Sequence, residues 1–158
     1  MSQIILATPI GKLAIEYEQD FVLKVMQIAS QSRIKSNRDY FAKEIQKQVG
    51  AYFSGELEKF DIPFLFSNGT DFQVRVWDQI RKIPFGTTKT YGEIANKLKS
   101  GPRAVGNACR RNHLLLIVPC HRVVSTTGLG GFMGDVDGSL VKRKQWLLSH
   151  ELEYCHAA

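Results

Sequence analysis

A buried apolar run that ends in a proline, a cysteine, a histidine and an arginine constrains this chain more than any other stretch. Residues 114–118 read Leu-Leu-Leu-Ile-Val, which predicts a buried extended segment, although so short a run does not by itself separate strand from helix. Pro119 has no backbone donor and favours an extended residue before it, so it should end the run. Cys120 is then presented at an edge of the core.

The thiol of Cys120 has two interpretations. Most free cysteines are small buried apolar side chains, and Cys120 taken alone would be read that way. Its neighbours favour a nucleophile, because His121 can act as a base or an imidazolium and Arg122 adds positive charge. Both would favour the thiolate over a thiol whose ordinary pKa is about 8.5. The sequence therefore indicates a reactive cysteine.

Positive charge is concentrated in the part of the chain that holds Cys120. The net charge is +6, and residues 71–124 carry ten Lys or Arg against three Asp or Glu, whereas residues 1–70 carry eight of each. A local surplus of this kind is expected of a surface that meets phosphates. A merely solvated basic face is the alternative, and the position beside the candidate nucleophile favours nucleic acid.

The length and composition exclude several classes of protein. A chain of 158 residues suits one ordinary domain or two small ones. No stretch approaches the roughly 18 consecutive apolar residues of a membrane span, and the N-terminus lacks the basic start of a signal peptide. Three widely spaced cysteines predict neither a disulfide framework nor a zinc site. We expect a cytoplasmic protein, nucleoid-associated in bacteria or nuclear in eukaryotes, with no membrane partner and no metal.

Residues 1–68 are expected to form a small α/β scaffold domain without catalytic side chains. Helical spacing of apolar residues over 38–53 predicts a helix, with Ser36 or Asn37 as its cap. Residues 60–64 alternate like an edge strand that carries a proline. An antiparallel meander is predicted from three runs rich in β-branched and aromatic residues, namely 4–8, 12–17 and 21–28.

Residues 69–158 are expected to form a second, mostly helical domain. Thr70 and Gln73 have the spacing of a capping box, which predicts a helix that ends near Lys82. A basic amphipathic helix is predicted over 138–151, where the apolar positions should pack into the core.

Two further helices are predicted between these. Thr90 stands three residues before Glu93, so it should cap a helix over residues 91–98. A tight turn at 100–102 then leads into another helix over 103–111. Two short helices joined by a turn that contains glycine predict a helix-turn-helix.

The second helix of this pair is unusual for a helix that reads base edges. Ala104, Val105, Gly106 and Ala108 have no side chain that could hydrogen-bond a base. Small residues suit close approach to a minor groove, with Arg103 free to project into the duplex. A helix kept small for tight packing is the alternative.

Five motifs occur in one order between residues 70 and 151: Arg-Ala-Val-Gly-x-Ala, Arg-x-Asn, Pro-Cys-His-Arg-Val, Gly-Leu-Gly-Gly-Phe and Leu-Leu-x-His-Glu. Together they resemble the O6-alkylguanine-DNA alkyltransferases, the methylated-DNA–protein-cysteine methyltransferases. The resemblance implies DNA repair by irreversible transfer of an alkyl group to the protein's own cysteine, with O4-alkylthymine left open as a second substrate. It implies an α+β fold, with a ribonuclease H-like N-terminal α/β domain that holds the antiparallel sheet and a C-terminal winged helix-turn-helix-like domain.

The resemblance also implies site residues, a partner and the absence of a cofactor. The expected catalytic set is the alkyl acceptor Cys120, its base His121, the orienting Glu151, the hinge Asn112 and the proton donor Tyr91. The expected DNA contacts are Arg103, which fills the gap left by the flipped base, with Tyr91, Gly92, Ala104, Gly106, Arg110, Arg111 and Thr126. The expected base pocket is Tyr91, Val123, Phe132 and Met133. The protein would act as a monomer on double-stranded DNA that contains O6-alkylguanine, with no cofactor.

The chain departs from the family pattern, and other functions compete with this one. His113 follows the hinge asparagine where a small residue or proline is usual, and Phe132 stands where many members carry tyrosine. Glu151 could also be an ordinary helix-terminal residue. The competing functions are a non-catalytic module that recognises alkylguanine, a helix-turn-helix regulator with an incidental thiol, and a thiol hydrolase. Cys120 argues against the first, because such modules lack the cysteine.

Overall fold

Three antiparallel strands and one helix build the N-terminal unit of the chain, Met1–Ser67. The structure is a computed structural model that describes residues 1–128 and 138–155. The strands are β1 (Ser2–Thr8), β2 (Gly11–Glu18) and β3 (Phe21–Gln27), in the order β1-β2-β3. The predicted meander is confirmed, and the central strand β2 carries most of the buried side chains of the sheet.

The helix α1 (Tyr40–Phe53) begins later than predicted. Its cap is Asp39, whose Oδ1 accepts a hydrogen bond from the backbone N–H of Ala42 at 2.8 Å, so neither Ser36 nor Asn37 caps it. The hydroxyl of Tyr17 donates to Asp39 Oδ2 at 2.6 Å. The capping carboxylate is therefore held by a residue of strand β2. The residues around Asp39 in the sequence could not predict that contact.

The predicted edge strand over residues 60–64 is wrong. Within the described part of this segment, Phe64 makes an isolated bridge with Val22 of β3 and no strand forms. Asp61 is bound to α1 instead, because Gln48 accepts from its N–H at 2.8 Å and donates to its carbonyl at 3.1 Å. Two backbone hydrogen bonds flank Phe64, from the N–H of Val22 to the Pro63 carbonyl at 2.9 Å and from the N–H of Leu65 to the Val22 carbonyl at 3.0 Å, and they form a bridge with β3 rather than a strand.

Helices dominate the C-terminal unit, Asn68–Ala158. Its elements are α2 (Asp71–Arg81), β4 (Lys89–Thr90), α3 (Tyr91–Leu98), α4 (Pro102–Arg110), β5 (Val123–Val124) and α5 (Ser139–Tyr154). The two short strands pair in parallel, and a 3-10 turn, Cys120–Arg122, leads directly into β5. None of the helices in the described ranges combines the length and the apolar character needed to cross a membrane.

Two of these helices begin where their caps were predicted. Thr70 accepts from the N–H of Gln73 at 3.1 Å, and the Gln73 side chain accepts from the N–H of Thr70 at 3.0 Å, which completes the capping box. Thr90 accepts from the N–H of Glu93 at 3.0 Å and starts α3. A cap acts within one turn of helix, so it can be read from adjacent residues.

The apolar run over residues 114–118 is buried, as predicted, but it is not extended. Leu116 has φ +72°, and the N–H of Val118 donates back to the carbonyl of Leu114 at 2.8 Å, so the run folds into a turn. Asn112 holds both ends of this turn. Its amide donates to the carbonyl of Val118 at 2.9 Å and accepts from the N–H of Leu114 at 2.9 Å.

Candidate active site

Cys120 lies at the start of the 3-10 turn and is only 4% exposed. The turn begins here because Pro119 ends the apolar run, and the N–H of Arg122 then donates to the Pro119 carbonyl at 2.9 Å. His121 and Arg122 are buried as well. Three consecutive side chains of the motif therefore lie inside the C-terminal unit, where water does not screen their interactions.

The carboxylate of Glu151 connects His121 and Arg122. His121 Nε2 lies 2.6 Å from Glu151 Oε2, while Arg122 donates to both carboxylate oxygens, from Nε at 2.8 Å and from Nη2 at 3.0 Å. The backbone N–H of Gly86 adds a fourth hydrogen bond at 3.2 Å. Both oxygens of a carboxylate that is 1% exposed are thus satisfied, as a buried charge requires.

These contacts determine the protonation state of the histidine. Burial lowers the pKa of His121 below its ordinary value, against the opposing influence of Glu151. Burial alone would raise the pKa of Glu151, but the hydrogen bonds from His121 and Arg122, together with the positive charge of Arg122, lower it well below its ordinary value. A neutral imidazole therefore faces an ionised carboxylate. With Nε2–H donating to Glu151, Nδ1 is the ring nitrogen that can accept a proton.

The thiol of Cys120 does not have the low pKa that its neighbours in sequence suggested. A hydrogen bond with the thiol of Cys109, together with burial, raises the pKa of Cys120 well above its ordinary value. Asn112 and the positive charge of Lys144 act in the opposite direction. Arg122, which was expected to stabilise the thiolate, forms its ion pair with Glu151. The resting side chain is therefore a thiol, and reaction requires a base.

Lys144 on α5 belongs to this site, although no motif identified it. Its side chain is fully buried, its Nζ donates to the carbonyl of Val123 at 2.7 Å, and Nζ lies 5.7 Å from the centre of the Tyr91 ring. Burial lowers the pKa of Lys144 to about 8. Lys144 and Glu151 are seven residues apart, which places them on one face of the helix. That spacing from a predicted site residue is the signal that could have found it.

Tyr91, at the start of α3, is half-buried beside the same cluster. Burial, followed by the charges of Cys109 and Cys120, raises the pKa of Tyr91 above its ordinary value, so its phenol remains protonated and able to donate. Gly106 of α4 faces this ring, because a Cβ added at Gly106 would lie 4.0 Å from Tyr91 Cε1.

The other predicted residues divide into exposed or half-buried positions, one buried position and positions outside the described ranges. The exposed ones are Arg103, Arg110, Arg111 and Thr126, and the half-buried ones are Gly92, Ala104 and Gly106. Val123 is buried. Phe132 and Met133 lie outside the described residues. The part of the chain that the structure describes contains no cluster of three or more His, Cys, Asp or Glu side chains suited to a metal.

His113 stands where the family usually has a small residue or proline, and α2 and α4 remain in contact next to it. The His113 ring packs edge-on against Trp77 of α2, with the ring centres 5.3 Å apart. Trp77 Nε1 donates to the carbonyl of Ala108 at 2.8 Å and so ties α2 to the end of α4.

Sequence comparisons match this chain to one family. The family model described as 6-O-methylguanine DNA methyltransferase, DNA binding domain, matches residues 71–153. A methylated-DNA–protein-cysteine methyltransferase of Methanosarcina acetivorans is 37% identical over 146 residues, which cover 87% of this chain and 92% of that protein. One of Mycolicibacterium paratuberculosis is 39% identical over 160 residues, which cover 96% of this chain and 92% of that protein.

Solved structures of similar proteins have the same fold. The crystal structure of Mycobacterium tuberculosis O6-methylguanine methyltransferase superposes with a TM-score of 0.84 at 32% identity, over 99% of this chain and 95% of that one. The structure of Mycobacterium tuberculosis OGT in complex with DNA superposes with a TM-score of 0.81 at 36% identity, over 95% of this chain and 92% of that one.

Proposed function

The chain belongs to the O6-methylguanine DNA methyltransferase family, and from this premise we propose that Cys120 is the residue that accepts the alkyl group. The protein repairs DNA by transferring an alkyl group from O6-alkylguanine to a cysteine of its own. One observation carries the assignment to Cys120: it directly precedes a histidine whose Nε2 lies 2.6 Å from a buried carboxylate. Cys109 is followed by Arg110, and Cys155 lies at the C-terminal end of α5 with its Sγ 3.7 Å from the carbonyl oxygen of Phe85.

The proton of the thiol leaves before or during the transfer. Because burial and Cys109 raise the pKa of Cys120, the thiol needs a base in its own site. His121 supplies it: Glu151 holds Nε2–H, and Nδ1 takes the proton through a bridging water. Lys144 then stabilises the thiolate by its positive charge.

The transfer itself is a displacement at carbon. The sulfur–carbon bond forms while the bond from carbon to O6 breaks, and the electron pair of that bond stays with guanine. Guanine then takes up a proton, which balances the proton lost by the thiol. Tyr91 donates a proton to the departing base in this proposal, which its protonated phenol supports. The product is a thioether, which water does not cleave, so each molecule reacts once.

The target base has to leave the duplex before it can reach a buried sulfur. We propose that α3 and α4 act as the helix-turn-helix of a winged domain, with α4 in the minor groove and the exposed Arg103 in the gap left by the flipped base. Asn112 is the hinge between α4 and the site, because it holds the turn that leads to Cys120. Val123, Phe132 and Met133 are proposed to line the base pocket.

Further proposals concern the whole protein and its partner. The catalytic residues and the proposed DNA contacts all lie in the C-terminal unit of one chain. We therefore propose that the protein acts as a monomer on duplex DNA that contains O6-alkylguanine. The N-terminal unit, with its three-stranded antiparallel sheet, is proposed to have a ribonuclease H-like arrangement and to serve as a scaffold.

Mass spectrometry of the intact protein after incubation with an O6-methylguanine duplex tests the assignment. We expect one added methyl group per molecule, which peptide mapping places on Cys120. Cys120→Ser should abolish transfer and leave duplex affinity nearly unchanged, because the proposed binding surface is on α4. A methyl group on Cys109 or Cys155 would show that Cys120 is not the acceptor, and more than one turnover per molecule would contradict irreversible transfer. Binding of alkylguanine without any methyl uptake would indicate a recognition module.

A further inference from the structure

The guanidinium of Arg122 makes three hydrogen bonds within the site, and the transfer chemistry does not use it. Besides its two hydrogen bonds to Glu151, it donates from Nη1 to the carbonyl of Ile83 at 2.8 Å. Its carbon Cζ lies 5.7 Å from the centre of the Phe85 ring. Arg122 thus joins the 3-10 turn to the segment after α2 and to α5.

The paired hydrogen bonds from Nε and Nη2 of Arg122, which act as a two-pronged fork, fix the orientation of the Glu151 carboxylate. Each carboxylate oxygen accepts one hydrogen bond from the planar guanidinium, which leaves little freedom to rotate. The Ile83 carbonyl anchors the far side of the same guanidinium. As a result Oε2 is aimed at His121 Nε2, and the imidazole is held with Nδ1 as its free acceptor.

The charge of Arg122 is the second part of the arrangement. His121 is faced by Glu151 and Lys144 from α5 and by Arg122 from its own turn. An ionised carboxylate with no cation beside it would favour an imidazolium at His121. A protonated His121 could not accept the proton of Cys120. Because the Arg122 guanidinium is bound to Glu151, the carboxylate can orient His121 while His121 remains unprotonated.

We propose that Arg122 is a positioning residue, whose guanidinium aims Glu151 at His121 and neutralises its charge, so that His121 stays neutral and ready to take the Cys120 proton. This inference rests on the proposed function for the identity of the base. It gives Arg122 a role in positioning the base in addition to linking three segments of the fold.

The experiment compares the full-length wild type with Arg122→Gln, Arg122→Lys and Glu151→Gln. Arg81→Gln is the matched control, since Arg81 is a partly exposed arginine paired with Asp78 on α2. Two quantities are measured against pH. The first is the titration of His121, followed by nuclear magnetic resonance of its ring protons in unreacted protein. The second is the single-turnover rate of methyl transfer from a single-stranded oligonucleotide that carries O6-methylguanine.

Opposite shifts from the two neutral variants are the expected result. Arg122→Gln leaves Glu151 uncompensated, so His121 should titrate at higher pH and the transfer rate at about pH 6 should fall roughly tenfold below its plateau. Glu151→Gln removes the carboxylate that favours the imidazolium, so His121 should titrate at lower pH than in the wild type. Arg81→Gln should leave both curves unchanged.

A merely structural role for Arg122 predicts a different pattern. Loosening of the site would admit water in both neutral variants and move the His121 titration up toward its ordinary value in each. Shifts in the same direction, or a rate that falls by one factor at every pH, would overturn the proposal.

Arg122→Lys decides the matter if Arg122→Gln does not fold. Lysine keeps the charge but lacks the fork, so the His121 titration should stay near that of the wild type while the plateau rate falls roughly threefold to tenfold. A wild-type plateau in Arg122→Lys would overturn the proposal. The titration of His121 is read without any transfer, so a wild type that transfers no methyl group would refute the proposed function and still leave the role of Arg122 measurable.

Discussion

Five ionisable side chains of the C-terminal unit are buried in one cluster: Cys120, His121, Arg122, Lys144 and Glu151. Burying that many such groups costs stability unless each is paired or neutral, and strongly perturbed groups gathered in one place are typical of functional sites. The arrangement separates two charge systems. Glu151 is balanced by Arg122, whereas Lys144 faces the thiol and the phenol. This separation allows a neutral imidazole and a positive charge to lie in the same buried cluster.

The charge of Lys144 can be tested on the thiol alone. Lys144→Met removes the cation that lowers the pKa of Cys120, so alkylation of Cys120 by iodoacetamide near pH 7.5 should slow by roughly threefold to tenfold. Lys142→Met, at an exposed position two residues away on α5, is the matched control and should react at the wild-type rate. Rates are followed by mass spectrometry of the Cys120 peptide. Equal rates in the two variants would show that the charge of Lys144 does not affect the reactivity of Cys120.

The buried His121 predicts a loss of stability in acid. Its folded pKa lies below its unfolded value, so the unfolded state binds more protons as the pH falls below about 6.5, and stability is lost in that range. Glu151 acts in the same direction below about pH 4.5, because its folded pKa is also lowered. We expect the unfolding free energy of the wild type to fall more steeply between about pH 6.5 and 5 than that of His121→Gln, by at most about 1.4 kcal/mol per pH unit. Parallel curves from urea titrations would contradict this.

At the scale of elements, α4 combines a buried face with a face of small residues. Val105, Ala108 and Cys109 are buried, while Ala104 and Gly106 remain partly accessible. Glycine inside a helix costs roughly 0.5–1 kcal/mol relative to alanine, so its presence calls for a reason. Crowding within the protein is not that reason, because a Cβ at Gly106 would meet Tyr91 only at ordinary contact distance, 4.0 Å. Close approach of DNA is the reason that we propose.

Gly106→Ala separates packing from DNA contact. We expect the variant to be more stable than the wild type by up to about 1 kcal/mol and to bind duplex DNA more weakly. Gly50→Ala in α1 is the matched control, since a Cβ there meets nothing within 4 Å and the position lies outside the proposed interface. It should gain similar stability with unchanged affinity. Thermal unfolding and fluorescence anisotropy measure the two effects. Undiminished affinity in Gly106→Ala would mean that α4 does not approach DNA closely at this residue.

For the whole molecule, the positive surplus and the buried cluster of ionisable side chains belong to the same unit. Residues 1–70 are electrically balanced, and the surplus of residues 71–124 includes the exposed Arg103, Arg110 and Arg111. An exposed cation contributes little to folding, but it contributes to affinity by releasing counterions from the phosphates. The N-terminal unit, which has no net charge, is therefore not expected to attract DNA in the same way.

Salt dependence tests this division. Arg110→Gln should weaken binding to undamaged duplex and reduce the slope of log affinity against log salt by about 0.9, the value for one lost phosphate contact. Lys59→Gln, an exposed charge of the N-terminal unit, is the matched control and should leave the slope unchanged. Anisotropy titrations at several salt concentrations provide both values. A smaller slope in Lys59→Gln would show that the N-terminal unit also meets the phosphates.

Local chemistry was sufficient to predict much of this protein. The antiparallel meander and the capped starts of α2 and α3 depend on residues close together in the chain. Caps and alternating strands act over a few residues, which is the range that a sequence pattern covers. The resemblance to the family also predicted Glu151, thirty-one residues beyond Cys120, as a partner of His121.

Tertiary structure alone decided the rest. Asp39 caps α1 because Tyr17, twenty-two residues earlier, holds its carboxylate. The pKa of Cys120 is raised by burial and by Cys109, against the expectation drawn from its sequence neighbours. Each of these outcomes depends on groups brought together through space and on the exclusion of water around them. A pattern of adjacent residues carries neither quantity, since desolvation and distant contacts exist only once the chain has folded.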